Sequence, residues 1–189
     1  MPSRDAQTTK AHILRAALED FAEHGYAGGR IERIAKTAGT NVRMIYAYYG
    51  NKDKLFDAAF TQAITSMAAA VPPRPEDLAA WAGDLFDYHS REPTTLRISM
   101  WAQLERPQTA SEPMENYLAK TTAVRAAGSA PLTAVDLLVL IYAMSQAWYL
   151  TPVGLLQADG QAPDDPRRIA AHRQAVVTAV TRILRPETD

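Results

Sequence analysis

The stretch from Ile31 to Phe56, IERIAKTAGTNVRMIYAYYGNKDKLF, leaves this chain few choices. Ile31, Ile34, Ala35 and Ala38 recur at helical spacing. Gly39 follows, and glycine tolerates the positive φ that a helix C-terminus needs. Asn41 is a candidate N-cap, because its side-chain oxygen can accept a free amide of the next turn. Val42 to Tyr49 then reads as a second short helix. Two short helices across a tight Gly-containing turn make the helix-turn-helix pattern, whose second helix enters the DNA major groove. The periodicity by itself also fits an ordinary helical hairpin.

The wording of the stretch narrows this further. Ile34-Ala35, Ala38-Gly39, Ile45-Tyr46, Tyr49-Gly50, Lys52 and Leu55-Phe56 fall in order without gaps. Thr9 to His24, followed by Gly25-Tyr26, precedes them. The region resembles the DNA-binding part of the tetracycline-repressor (TetR) family. The resemblance implies an all-α chain with a three-helix DNA-binding domain over residues 1–54. It also implies a C-terminal helical domain, 55–189, that binds an effector and dimerises.

Within the second helix, Val42 and Arg43 lie in the first turn, where side chains reach base edges. Arg43 can give two parallel hydrogen bonds to guanine, and Val42 can pack on a thymine methyl. Tyr46 and Tyr48 can donate to phosphates, which sets register without reading sequence. Packing is the competing role for these rings, and the resemblance favours Tyr46 for the phosphate. Tyr49 is expected in the small domain's core, with Met44 and Ile45 facing the first helix. Thr40 replaces the family's usual apolar residue, and its role, fold or phosphate, stays open. The family commonly has Thr near the start of the preceding helix, where Arg30 stands here. Asn41 and Asn51 are the caps, and Lys52 adds a charge beside free amides that favour a phosphate.

Charge placement matters more than charge total. The first 60 residues hold nine basic and seven acidic side chains, and the rest hold 11 and 14. Such a small imbalance makes the nucleic-acid argument one of position. The absence of Cys excludes disulfides and thiolate metal sites. His12, His24, His89 and His172 are scattered, so no metal site is expected, and with no P-loop or dinucleotide fingerprint no other cofactor is expected. No basic start leads an apolar leader, and no apolar run suits a bilayer; the cytoplasm is the default compartment.

Taken in order, Met1 to Gln7 reads as a disordered lead. Thr8 or Thr9 should cap a helix to about His24, with Ile13, Ala17 and Phe21 on its inner row and its charged residues solvated. Asn51 should cap a helix carrying Leu55, Phe56, Ala59, Phe60, Ile64 and Met67, ended by Val71-Pro72-Pro73-Arg74-Pro75. Helices follow over Asp77 to Ser90, Thr94 to Arg106, and from the cap Ser111 to Ala127. A turn at Gly128-Ser129-Ala130-Pro131 and a Thr133–Asp136 capping box come next. The helix from Ala134 to Leu156 is apolar almost all round and should bend or break at Pro152. Asp165-Pro166 opens the last helix.

An all-round apolar helix needs a second surface to cover it. The resemblance supplies one: a homodimer through the last two long helices, about Val135–Leu156 and Ile169–Leu184. Twofold symmetry also suits two half-sites of a near-palindromic double-stranded operator. Trp81, Tyr88, Trp101, Tyr117, Tyr142 and Tyr149 come from four expected helices and can line a cavity, although an ordinary core uses the same residues. Tyr142, Gln146 and Tyr149 are assigned toward that pocket, with Met144 and Trp148 toward the dimer, and the exchange of the two faces stays open. Glu105, near Trp101 and Ile98 in helical angle, is either a solvated charge or a pocket carboxylate for a cationic ligand. The expected protein is a ligand-responsive repressor released by a small hydrophobic effector, with a cation as one option. It is neither an enzyme nor a membrane protein. An all-α interaction protein, or a regulator that activates without an effector, is the alternative.

Overall fold

The computed structural model describes residues 4–108, 114–126 and 132–185. Among them the chain is helical, without a strand. The helices are α1 (Arg4–Gly28), α2 (Ile31–Thr37), α3 (Val42–Tyr49), α4 (Lys52–Ala70), α5 (Leu78–Arg91), α6 (Pro93–Glu105), α7 (Met114–Ala126), α8 (Ala134–Leu150), α9 (Val153–Leu156) and α10 (Pro166–Leu184). The chain divides into two compact units, Met1–Met67 with Pro93–Glu112, and Ala68–Glu92 with Pro113–Asp189. The sequence-based boundary at 54/55 would instead cut α4 near its first turn. The structure keeps most of α4 with α1, because Leu55, Phe56, Ala59, Phe60 and Ile64 are buried in the first unit.

In the first unit, α1 begins at Arg4, so residues 4–7 are helical rather than a disordered lead. Ile13, Ala17 and Phe21 are fully buried, and Phe21 meets Phe56 edge-on at 5.0 Å. Burying a ring of this size contributes about 2–3 kcal/mol. Gly25 interrupts α1 with φ 73 and ψ 179, and a last turn continues to Gly28. A side chain at Gly25 would be strained by that φ and would press on the Trp101 ring, 3.0 Å from an added Cβ. Helix α6 packs along α1, with Ile98 and Ala102 turned inward.

In the second unit, α5 packs between α8 and α10. Trp81, Leu85 and Phe86 form its inner row, and Trp81 Nε1 donates to the Val71 carbonyl at 3.1 Å. Gly83 lets α10 approach closely; a Cβ there would stand 3.0 Å from Val177. Helix α8 opens on the expected box, with the Asp136 amide donating to Thr133 Oγ1 at 3.2 Å and Thr133 Oγ1 donating to Asp136 at 2.6 Å. It stops at Leu150, and Pro152 caps the separate turn α9, since proline cannot continue the ladder. Asp165 accepts the Arg167 amide at 2.7 Å and starts α10 behind Pro166. The expected Ser111 cap and the Gly128–Pro131 turn lie outside the described residues. No helix among the described residues is long and apolar enough to cross a membrane.

Candidate nucleic-acid interface

Helices α2 and α3 are set by local chemistry. The α2 carbonyls are closed by the Ala38, Gly39 and Thr40 amides, and Gly39 takes φ 65, a conformation that favours glycine. Asn41 accepts the Met44 amide at 3.0 Å and starts α3. Ile45 is the buried anchor of α3, and Met44 beside it is half-buried. With that face fixed, Arg43 and Tyr46 turn outward, and Val42 is half-exposed. Tyr46 is 46% exposed, so packing does not account for its ring. Thr40 is half-buried, and its backbone amide donates to the Ala35 carbonyl at 2.9 Å.

Tyr48 is half-buried, with the Lys10 ammonium 5.3 Å from its ring centre. Tyr49 does not fill the core as expected. It is half-buried and reaches back to donate its hydroxyl to the Lys10 carbonyl at 3.0 Å.

Two cations that lie far apart in the sequence meet at one carbonyl. Arg30 Nη1 donates to the Ala27 carbonyl at 3.0 Å, and Lys52 Nζ donates to it at 3.4 Å. Lys52 also lies over the Tyr26 ring at 4.7 Å. Burial first, and then the Arg30 charge, hold the Lys52 ammonium below its ordinary pKa. An anion between the two would relieve that repulsion, as a phosphate does.

Asp20 supports this pair from beneath. Helix α1's charged face was expected to be solvated, yet Asp20 is 7% exposed. It accepts the amide of Arg30, the N-cap residue of α2, at 3.0 Å and pairs with the side chain of Arg33 in the first turn; Arg30 itself offers no side-chain cap. A carboxylate beside free amides at a helix N-terminus is favourable. On the other side, Tyr26 donates to Asp53 at 2.8 Å, and Arg106 pairs with Asp53 and Asp57. The Tyr26 hydroxyl, followed by Arg106, holds the Asp53 carboxyl below the usual carboxylate range.

The expected effector residues are not brought together as one set. Trp101 and Glu105 belong to the first unit. There Glu105 accepts the Tyr26 and Ala27 amides, at 2.5 and 3.1 Å, and closes the kink after Gly25. Trp81, Tyr88, Tyr117, Tyr142, Gln146 and Tyr149 belong to the second. Trp81 and Tyr142 meet edge-on at 6.0 Å, and the buried Lys120 lies 5.6 Å from Tyr142 and 5.8 Å from Tyr117. Tyr88 is buried, Gln146 half-buried, and Tyr149 donates to the Phe86 carbonyl at 3.2 Å. Trp148, assigned to the other face of α8, packs 4.7 Å from His172 of α10, with Arg168 over it.

The family model described as bacterial regulatory proteins of the tetR family matches residues 13–59. That described as the tetracyclin repressor-like C-terminal domain matches residues 77–182, more than half of the chain. The chain belongs to the TetR family. Among its relatives, the transcriptional repressor SCO4008 of Streptomyces coelicolor is 37% identical over 187 residues, covering 93% of this chain and 97% of that protein. The transcriptional repressor NicS of Pseudomonas putida is 35% identical over 103 residues, 51% of this chain and 49% of NicS. The solved structure of SCO4942 from Streptomyces coelicolor is similar with a TM-score of 0.81 and 32% identity, covering 94% of this chain and 99% of that one. This TetR-family chain is therefore a DNA-binding regulator rather than an enzyme. The N-terminal match takes in Arg30, Arg43, Tyr46 and Lys52, but also Asp20, which the motif did not single out. No spacing rule ties Asp20 to Arg30; only the packing of α1 under α2 does.

Proposed function

We propose that the protein is a repressor which holds a near-palindromic operator as a homodimer and releases it when a small hydrophobic effector binds the second unit. The observation that carries this reading is the Arg30–Lys52 pair at the Ala27 carbonyl, together with the exposed Arg43 of a capped α3. The pair grips a phosphate and Arg43 reads a base. Tyr46 adds a neutral phosphate contact, Tyr48 a weaker one under Lys10, and Asn41 and Val42 border the same groove.

Two apolar surfaces support the dimer. Helix α8 turns Val135, Val139, Ala143 and Leu150 outward, with Val139 59% exposed. Helix α10 turns the small residues Ala170, Ala171 and Ala175 outward, which allow close helix approach. Covering both in a four-helix interface removes apolar area from water. The aromatic interior of α5, α8 and α10 suits a flat hydrophobic effector. Release follows from connectivity: α6 is held in the DNA-reading unit by Glu105 and Arg106, while its sequence neighbours α5 and α7 belong to the other unit. An effector that shifts α5 or α7 draws on α6, and operator and effector then oppose each other through one coupling free energy.

Selection of bound duplexes from a random library tests the reading. It should enrich a site with twofold symmetry, bound with an affinity that falls steeply with salt. Recovery of no symmetric site, or binding indifferent to salt, would refute it.

A further inference from the structure

Among the described residues of the second unit, three buried imidazole nitrogens have no hydrogen-bond partner. His89 on α5 is 1% exposed, and neither its Nδ1 nor its Nε2 has a hydrogen bond. His172 on α10 has a buried Nε2 in the same condition. Rings connect the two. His89 lies 6.5 Å from Tyr149, Tyr149 lies 5.1 Å from Phe86, and Phe86 lies 5.7 Å from His172. Trp148 closes the cluster against His172. Buried polar side chains nearly always find a partner, so exceptions call for an explanation. Packing is not a sufficient one, because Leu or Phe would fill the space without the desolvation cost.

Burial also holds His89 neutral, its pKa lowered to about 4. A neutral imidazole has one N–H to donate and one lone pair to accept. It carries no charge to offset that of a buried ion of either sign. Resting on the reading of an effector in the second unit, we infer that His89 is the hydrogen-bonding centre of the effector site. The effector is then a flat, uncharged compound with a polar edge, such as an aromatic lactam, amide or phenol. The rings take its faces and the imidazoles take its edge. The nitrogens are shut from solvent, so entry displaces a ring. Tyr149 is the half-buried member beside His89, held at its hydroxyl by the Phe86 carbonyl. Glu105 has no part in this site, and cationic charge brings no gain.

The test uses the full chain and two probes of one shape, naphthalene and 2-quinolinone, which adds a lactam edge. Calorimetry on the wild type should show 2-quinolinone binding about tenfold more tightly, the difference one good hydrogen bond makes. His89→Leu should bind both probes alike and still bind the selected operator. Histidine ring 15N resonances give a second readout on the wild type, independent of whether the variant folds. Those of His89 should move with 2-quinolinone and stay with naphthalene. Equal affinities in the wild type, binding of neither probe, an unchanged preference in His89→Leu, or unmoved His89 resonances would each overturn the inference. Operator binding by the unliganded wild type is measured alongside. Its failure would count against the regulator reading and not against His89.

Discussion

Glu105 accepts the backbone amide of Tyr26, a residue 79 positions earlier in the chain. Gly25 breaks α1 just before that amide and the amide of Ala27, with non-helical φ 73 and ψ 179. The carboxylate at the end of α6 takes both, much as a capping side chain does.

Glu105→Ala should therefore destabilise the protein by about 1–2 kcal/mol. Glu105→Gln should cost less, since an amide oxygen still accepts. Urea denaturation of the full chain measures both. An unchanged midpoint in Glu105→Ala would mean that the contact contributes nothing in solution.

The DNA contacts separate by kind. Arg43→Ala should weaken the selected operator by about 1–3 kcal/mol and relax preference at one base pair. Lys52→Ala should weaken binding to every sequence and lower the salt slope by about one. Arg30→Ala should do the same, and the double variant should lose less than the two single losses together, because the two cations share one phosphate. Anisotropy titrations at several salt concentrations decide this. An unaltered site preference in Arg43→Ala would show that α3 enters the groove by another face.

Much of this was legible because it is local. Asn41, Thr133 and Asp165 cap within three residues of themselves, and Pro152 breaks a ladder it cannot join. The inner rows of α1 and α4 follow the helical period. What stayed hidden depends on packing between distant segments. Nothing near Asp20 announces that it accepts the amide of Arg30, the N-cap residue of α2. Glu105 carried two readings, solvated charge or pocket carboxylate, and only the fold supplies its partners at Tyr26 and Ala27. The period of α8 was equally silent about facing, since apolar residues surround it; packing on α5 and α10 selects Trp148 inward and Val139 outward.

That selection bears on the dimer. Val139→Glu places a charge on the outward face of α8 and should yield a folded monomer with operator affinity reduced at least tenfold, since each half-site alone is weak. Val177→Glu should instead unfold the second unit, because Val177 packs against Gly83 of α5. Light scattering and thermal melting distinguish the two. A wild type that is monomeric at micromolar concentration, or a Val139→Glu protein that remains dimeric, would remove this face from the interface.

Acid should loosen the second unit through its buried imidazoles. Burial holds His89 at about 4 against an ordinary value of 6.5, and it lowers His172 in the same direction. The unfolded chain therefore binds protons that the folded chain refuses. Stability from His89 is fully present above pH 6.5, falls as the pH drops through the window from 6.5 to about 4, and levels off below it. The whole change is about 3 kcal/mol for His89. The Asp53 carboxyl, held low by Tyr26 and Arg106, contributes its own loss only in more acidic solution, near and below its ordinary 3.8. His89→Leu should flatten the curve between pH 6.5 and 4 while leaving that acidic limb in place. Unfolding free energies measured in urea at half-unit pH steps, on wild type and variant, give the comparison. Parallel curves for the two proteins would show that His89 is already protonated or solvated in the folded state.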